Sequence, residues 1–177
     1  MNGTIFIAGA YGAGKSTLCS KLTDKFGIPF FSAGDLISDQ NGERYGANKA
    51  VDDKDNNQVI LARRVQELTE RHSKFLLAGH FCIFNTKHQV ELLPESVFPK
   101  LNIMQIILLE TSSRQIAEHL RFRDSKGYSQ SAIDELILKE RVQAIKISKE
   151  LNCSLTVYQM TFSDVDVENI GKFIRGG

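Results

Sequence analysis

The chain has 177 residues, of which 42% are hydrophobic and 24% charged, and its formal net charge at pH 7 is +1. This composition is typical of a folded globular domain and excludes disorder as the main state. No apolar run reaches the roughly 18 residues that span a bilayer, and the near-neutral charge provides no field that would concentrate nucleic acid. Three scattered cysteines without a CxxC pair predict neither a disulfide framework nor a zinc site. We therefore expect a cytoplasmic protein with no membrane and no nucleic-acid partner.

Short apolar runs alternate with amphipathic stretches along the whole chain. Five runs are predicted to be strands: residues 4–8, 28–31, 75–78, 103–109 and 155–158. Most of them lack polar alternation, which is typical of parallel strands covered on both faces. The stretches between them carry apolar residues at helical spacing, as in Leu18, Leu22 and Phe26. The alternation predicts one α/β domain over residues 1–177 whose ligands bind beyond the carboxyl ends of the strands.

The first predicted strand leads directly into a sequence of the pattern G-x-x-x-x-G-K-[ST]. We expect the ATP-binding residues to be Gly9, Ala10, Tyr11, Gly12, Ala13, Gly14, Lys15, Ser16 and Thr17. Glycines at these positions let successive backbone N–H groups point at one anion near a helix N-terminus. Lys15 can reach the outer phosphates, and Ser16 is the predicted Mg²⁺ ligand. The alternative is a glycine-rich turn that only begins a helix.

A phosphate-binding loop of this kind indicates a nucleoside triphosphate without choosing a class. The chain contains neither an LSGGQ-type signature nor an NKxD motif, which argues against an ABC ATPase and a GTPase. Its length is also short for a AAA+ module with a helical lid domain. The class has to come from the segments that follow.

Three later segments resemble adenylate kinase and the wider nucleoside-monophosphate-kinase family. They are FSAGDLI at 31–37, LLAGHF at 76–81, and LRFRD at 120–124 together with residues 134–141. The middle segment is closer to the LDGHF of bacterial P-loop proteins described only as nucleotide kinases or ATP-binding proteins. The resemblance implies a three-layer P-loop sandwich with a parallel five-stranded sheet of order 2-3-1-4-5. It also implies ATP- and Mg²⁺-dependent transfer to a nucleotide or nucleoside, an acceptor region at about 35–72 and a short lid at about 121–141.

Three positions depart from the adenylate kinase pattern. Ala78 stands where the family keeps a carboxylate that holds a water on Mg²⁺. Ser38 and Cys82 stand where it keeps the two arginines that grip the phosphate of AMP. We therefore do not expect a true adenylate kinase. Two alternatives remain open: a small-metabolite kinase of the shikimate or gluconate type, and a nucleotide-binding sensor with little turnover, which Ala78 favours.

The resemblance implies four catalytic residues: Lys15, Asp35, Arg123 and Arg141. The two arginines match the lid positions that surround the transferring phosphoryl group, whose spread charge calls for fixed cations. Arg121 is shifted from the family position, where His119 falls, and a solvated helix face is the alternative for all three arginines. Asp35 can orient waters of Mg²⁺ or take a proton from the acceptor; otherwise it caps a short helix at 36–39.

The predicted substrate-binding residues are Asp35, His80, Arg44, Arg63 and Arg64. His80 follows the third strand and can hydrogen-bond a substrate or take up a proton near neutral pH; the alternative is a histidine bonded beneath a loop. Arg44 belongs to a polar stretch, residues 41–57, in the place of the family's mobile acceptor-binding helices, although a solvated connection fits it equally well. The other histidines are interpreted as surface or helix-end residues.

Overall fold

The computed structural model describes residues 3–41, 54–85, 87–123 and 127–176. Its strands are β1 (Gly3–Ala8), β2 (Phe30–Ser32), β3 (Lys74–Ala78), β4 (Cys82–Phe84), β5 (Val90–Leu92), β6 (Ile103–Glu110) and β7 (Ser154–Gln159). Its helices are α1 (Lys15–Phe26), α2 (Ala33–Asn41), α3 (Lys54–Arg71), α4 (Ser113–Arg123), α5 (Gln130–Glu150) and α6 (Asp164–Arg175), with a 3-10 helix at Glu95–Leu101.

Five strands form one parallel sheet of order β2-β3-β1-β6-β7. Counted along the chain, these strands have the predicted order 2-3-1-4-5, so the fold class is confirmed. Each predicted strand is present with shifted ends, most clearly β2, which begins at Phe30 rather than at Ile28. The helix predicted at 36–39 is also longer, since α2 begins at Ala33.

An antiparallel hairpin of β4 and β5 follows the third strand of the sheet. It was not predicted, because each of its strands has only three residues and the polar residues between them carry no hairpin signal. The hairpin and the 3-10 helix after it continue from the carboxyl end of β3. They therefore form one wall of the space in which ligands of this fold bind.

The core lies on both faces of β1, all of whose residues are buried. Phe6 and Ala8 face the side covered by α2, α3, α4, α5 and the 3-10 helix. Ile5 and Ile7 face the side covered by α1 and α6. This double cover explains why the strand sequences lack polar alternation. Among the helices described, none is both long enough and apolar enough to span a membrane.

Candidate functional site

The loop from β1 to α1 has a backbone that only glycine adopts easily. Gly9 has φ 148°, and a Cβ added there would lie 2.6 Å from the carbonyl oxygen of Leu109. Gly14 precedes the first residue of α1 with φ 87°, and its added Cβ would lie 3.1 Å from the ring of Phe162. The chain therefore turns tightly into the N-terminus of α1, where free N–H groups attract an anion.

Lys15 is buried at the first position of α1. Its Nζ donates hydrogen bonds to the carbonyl oxygens of Gly9, at 2.8 Å, and Ala10, at 3.0 Å. The ammonium group is thus held over the loop, where the sequence pattern predicts the outer phosphates. A positive charge already placed inside the loop needs little rearrangement to meet an anion.

A cavity of about 710 Å³ opens beside this loop, within the usual range for small-molecule sites. Lys15, Ser16 and Thr17 line it on one side. Its walls continue along α2 and α3, across the residues after β3, and over α4 and the turn between β7 and α6. The cavity has room for a nucleotide together with a small second substrate.

The half of the cavity between α2, α3 and the 3-10 helix is mainly apolar. Ile37, Leu61 and Val97 line it together with two amide side chains, Asn57 and Gln58. The Oε1 atom of Gln58 is buried and accepts no hydrogen bond within the described part of the chain. No arginine lines the cavity among the residues described, so this half suits an apolar body bearing a hydrogen-bond donor.

On the opposite side of the loop, His119 of α4 faces Phe162 of the turn after β7. Nδ1 of His119 donates to the carbonyl oxygen of Gly12 at 2.6 Å. The ring meets Phe162 edge-on, with centroids 4.9 Å apart, and both residues line the cavity. Interpreting His119 only as a surface or helix-end residue therefore missed its place in the cavity wall. The sequence did offer one signal, because His119 falls where the resembling family keeps an arginine.

The turn after β7 is organised by the buried carboxylate of Asp166. It accepts hydrogen bonds from the backbone and hydroxyl of Thr161 and from the hydroxyl of Tyr158. Burial alone would raise the pKa of Asp166, but these hydrogen bonds outweigh burial and lower it. Asp166 is therefore ionised at neutral pH and holds Phe162 beside the loop.

His80, two residues beyond β3, lines the cavity and packs on the phosphate loop. Its ring lies 4.2 Å from that of Tyr11, centroid to centroid, and its Nδ1 lies 3.7 Å from Oε1 of Glu140. Glu140 is 1% exposed and was not predicted. The signal for it was a carboxylate within the apolar stripe of α5, between Ile133 and Ala144.

Aromatic rings connect the phosphate loop to the hairpin. Tyr11 stacks on Phe84 at 5.8 Å, and Phe84 stacks on Tyr128 at 4.8 Å. Tyr128 lies within the segment, about 121–141, in which the lid was predicted. The loop, the hairpin and the chain before α5 are thus packed against each other.

Three of the predicted acceptor residues do not line the cavity. Asp35 is exposed in the first turn of α2, so it does not cap that helix. Arg63 and Arg64 both pair with Glu67 of their own helix, at 3.4 Å and 2.8 Å. Arg44 lies outside the described residues. Of the described members of the predicted acceptor set, the structure brings only His80 together with the phosphate loop.

The predicted lid arginines also stand apart from the loop. Arg141 forms a two-point ion pair with Glu110 at the end of β6, with its Nε 2.7 Å from Oε1, and its side chain is 52% exposed. That pairing raises the pKa of Arg141. Arg121 is exposed. Arg123 ends α4, and its side chain lies outside the described residues.

The residues present fit a magnesium ion held mainly by its nucleotide. Ser16, whose side chain is a hydroxyl, lines the cavity, as does Ala78, whose methyl group offers no ligand. Among the described residues, no group of three or more His, Cys, Asp or Glu side chains could hold a metal ion. Mg²⁺ commonly takes one or two protein ligands and completes its shell with phosphate oxygens and water.

The parallel sheet and the loop between β1 and α1 define a P-loop protein with a kinase-like fold. The chain belongs to the family described as AAA domain, whose model matches residues 8–137. The length of the chain had argued against a AAA+ module with a helical lid domain. The match runs from the last residue of β1 into α5 and ends before β7.

Two further comparisons agree with this class. Over 45 residues the chain is 42% identical to the UMP-CMP kinase of Gallus gallus, and the match covers 24% of this chain and 23% of that kinase. The chain thus spans about a quarter of the curated relative that it matches. The shikimate kinase of Acinetobacter baumannii, solved in complex with shikimate, has a TM-score of 0.63 at 14% identity and covers 99% of this chain and 94% of its own.

The same fold recurs in the shikimate kinase of Bacteroides thetaiotaomicron, with a TM-score of 0.63, 13% identity, and coverage of 98% of this chain and 96% of that one. At such identities the likeness shows the fold alone. The kinase-like P-loop fold is therefore established, and the substrate has to be argued from the cavity.

Proposed function

We propose that the protein transfers the γ-phosphoryl group of ATP, with Mg²⁺, to a small acceptor such as a nucleotide or nucleoside. The observation that carries this proposal is one continuous cavity that begins at the phosphate loop and ends in an apolar pocket between α2 and α3. A site built only to bind ATP needs no second pocket. We expect such a reaction in the cytoplasm.

On the phosphate side, Lys15 and the loop N–H groups would hold the β- and γ-phosphates. Ser16 would ligate Mg²⁺, which neutralises charge on the phosphate oxygens when bound. His119 and Phe162 offer ring surfaces for the base of the nucleotide. Support for these roles is that Lys15, Ser16, His119 and Phe162 all line the same cavity.

The remaining predicted residues would reach the substrates when the chain closes around them. Arg123 and Arg141, in the proposed lid at about 121–141, would approach the transferring group, and Arg141 would first leave Glu110. Asp35, Arg44, Arg63 and Arg64, in the proposed acceptor region at about 35–72, would turn toward the acceptor. Closure of this kind excludes water from the transferring group.

AMP is not the acceptor that we propose. Ser38 is buried and donates its hydroxyl to the carbonyl of Gly34 within α2, and Cys82 is buried in β4. Neither replaces the arginines that the resembling family uses for the AMP phosphate. Losing two charge-assisted contacts, each worth about 1.5–3 kcal/mol, costs several kcal/mol of acceptor binding.

The test is a coupled assay of ADP formation with ATP and Mg²⁺ against separate acceptors. The panel contains AMP, CMP, UMP, the four nucleosides, shikimate and gluconate. We expect stimulated turnover with at least one compound and little or none with AMP. Turnover with AMP of about 1–100 per second would contradict the assignment of Ser38 and Cys82. Tight ATP binding without stimulation by any compound would favour the sensor.

A further inference from the structure

One buried carboxyl group beside the phosphate loop has no part in the roles proposed above. Oε1 of Glu140 accepts hydrogen bonds from the backbone N–H groups of Phe81, at 2.9 Å, and Cys82, at 3.0 Å. Its Oε2 accepts none within the described part of the chain. Because burying a carboxyl group is costly, its position inside the apolar face of α5 calls for a reason.

His80 is the side chain that this carboxyl group faces on the cavity wall. The 3.7 Å separation joins Nδ1 of His80 to the same Oε1 atom. Nδ1 is buried, whereas 21% of the His80 side chain is exposed, so the accessible part of the ring lies away from Glu140. Packing on Tyr11 keeps the ring against the phosphate loop.

His80 is also the imidazole on the acceptor side of the cavity. The other imidazole and carboxylate groups among the described lining residues are His119 and Asp166. His119 donates to the loop carbonyl of Gly12, and Asp166 holds the turn after β7. Asp35 does not line the cavity, and Ala78 has no carboxylate.

We propose that His80 is the general base that takes the proton from a hydroxyl acceptor, and that Glu140 positions its ring and balances the charge it gains. This assignment rests on the phosphoryl transfer proposed above. As the acceptor oxygen attacks the γ-phosphorus, its proton moves to the imidazole and a new O–P bond forms. The bond from the γ-phosphorus to the bridging oxygen breaks, ADP leaves with that electron pair, and His80 later releases the proton to solvent.

The pair of residues narrows the class of acceptor. A phosphate monoester loses its second proton near pH 6, so a nucleotide phosphate is already ionised at neutral pH and needs no base. An alcohol keeps its proton and does need one. The Glu140–His80 pair therefore indicates an alcohol, such as a nucleoside or a polyol, as the acceptor.

The charges around Glu140 set the pH range in which the pair acts. Burial raises the pKa of Glu140 to about 7, against the lowering effects of the Cys82 N–H group, the Lys15 charge and the Phe81 N–H group. Four titratable or charged groups surround it: Lys15 from the loop, His80 after β3, the Cys82 thiol of β4 and Lys139 beside it on α5. A fifth, Glu110, borders the same small void and is paired with Arg141. We therefore expect turnover to rise with pH through about 7.

The test measures release of labelled phosphate from ATP with Mg²⁺, with water as the hydroxyl acceptor, between about pH 5 and 8. His80→Asn should lower the rate about 100-fold or more and remove its pH dependence. This loss should be much larger than any change in the affinity for a non-hydrolysable ATP analogue, which the lost contact with Tyr11 can alter. Glu140→Gln, which keeps the size and one acceptor oxygen, should lower it about 10- to 100-fold. Free imidazole should restore part of the rate to His80→Ala.

Two control variants match these changes away from the cavity. His88→Asn replaces an exposed histidine whose φ of 59° asparagine tolerates, and Glu150→Gln replaces an exposed carboxylate at the end of α5. Both should keep the wild-type rate. If Glu140→Gln does not fold, the His80 variants and the imidazole experiment decide. If His80→Asn keeps the wild-type rate and pH dependence, the assignment of His80 as the base is wrong, but the proposed function stands. If the wild-type protein transfers phosphate neither to water nor to any acceptor of the panel, the proposed function itself is wrong.

Discussion

Gly79 has no room for a side chain between the end of β3 and the ring of Phe6. A Cβ at this position would lie 2.6 Å and 2.7 Å from two ring carbons. Phe6 cannot easily yield, because its ring packs against those of Phe81 and Phe98. The close approach therefore fixes the path of the chain as it leaves β3, and with it the position of His80.

Gly79→Ala should therefore destabilise the protein by about 1–3 kcal/mol, the usual range for overpacking a core. The measurement is the free energy of unfolding in urea. Gly127→Ala is the matched control, because an added Cβ there meets no atom within 4 Å. Equal stability of the two variants would show that the ring of Phe6 moves aside.

Glu140 makes a second prediction at the scale of a single residue. Its pKa is raised by burial from 4.5 to about 7, so the folded state binds the proton more tightly than the unfolded chain. The stability that this tighter proton binding adds is fully present below about pH 4.5 and is lost as the pH rises through about 7. Relative to Glu140→Gln, the wild-type free energy of unfolding should fall by on the order of 3 kcal/mol over that interval.

Urea titrations of both proteins at a series of pH values measure this difference, because the other titrating groups are common to both. Two parallel stability curves would mean that Glu140 has the same pKa in the folded protein and in the unfolded chain, and the raised pKa would then be wrong.

Single residues could be located from the sequence where their surroundings are local. The phosphate loop is one continuous segment, so the glycine turn before α1 and the place of Lys15 and Ser16 at the start of that helix could be predicted from spacing alone. Glu140 lies in α5, far along the chain from Phe81 and Cys82, and only the packing of α5 on the hairpin brings its carboxyl group to their N–H groups. Arg141 matched a pattern in the sequence, yet the structure pairs it with Glu110.

The hairpin of β4 and β5 stabilises the phosphate loop through stacked rings. Phe84 of β4 is buried between Tyr11 and Tyr128. Phe84→Ala should cost about 3–5 kcal/mol of stability, as for other buried phenylalanines, and should weaken ATP binding because Tyr11 loses a neighbour. Phe122→Ala is the control for stability, since that ring is 93% exposed and its loss should cost within about 0.5 kcal/mol.

Urea unfolding and calorimetric titration with ATP measure the two effects. Unchanged ATP affinity in a folded Phe84→Ala protein would show that the loop keeps its shape without the stack.

At the scale of elements, length decided what could be predicted. The strands of the central sheet are bordered by long amphipathic helices, so their apolar runs stand out. The hairpin strands have three residues each and were not predicted, whereas β2, also of three residues, was predicted with shifted ends. In such short segments the backbone pairing is set by neighbours in space, which the sequence pattern does not display.

For the molecule as a whole, binding of ATP should appear as added stability, because the loop exists only in the folded chain. At an ATP concentration about 100 times its dissociation constant, the free energy of unfolding should rise by about 2.7 kcal/mol. Lys15→Ala removes one charge-assisted contact, worth about 1.5–3 kcal/mol, so its affinity for ATP should fall about tenfold or more. At the same ATP concentration, about half of the added stability or more should then disappear.

Thermal unfolding of both proteins with and without ATP and Mg²⁺ measures the gain. An equal rise in both proteins would place the nucleotide away from this loop.

The ring stack also has an optical consequence. The chain has no tryptophan and four tyrosines, so its ultraviolet fluorescence comes from tyrosine. One of these emitters, Tyr11, lies inside the phosphate loop with His80 and Phe84 against its ring. Any ligand that enters the loop changes the surroundings of that ring. The unlabelled chain therefore carries its own spectroscopic reporter of loop occupancy.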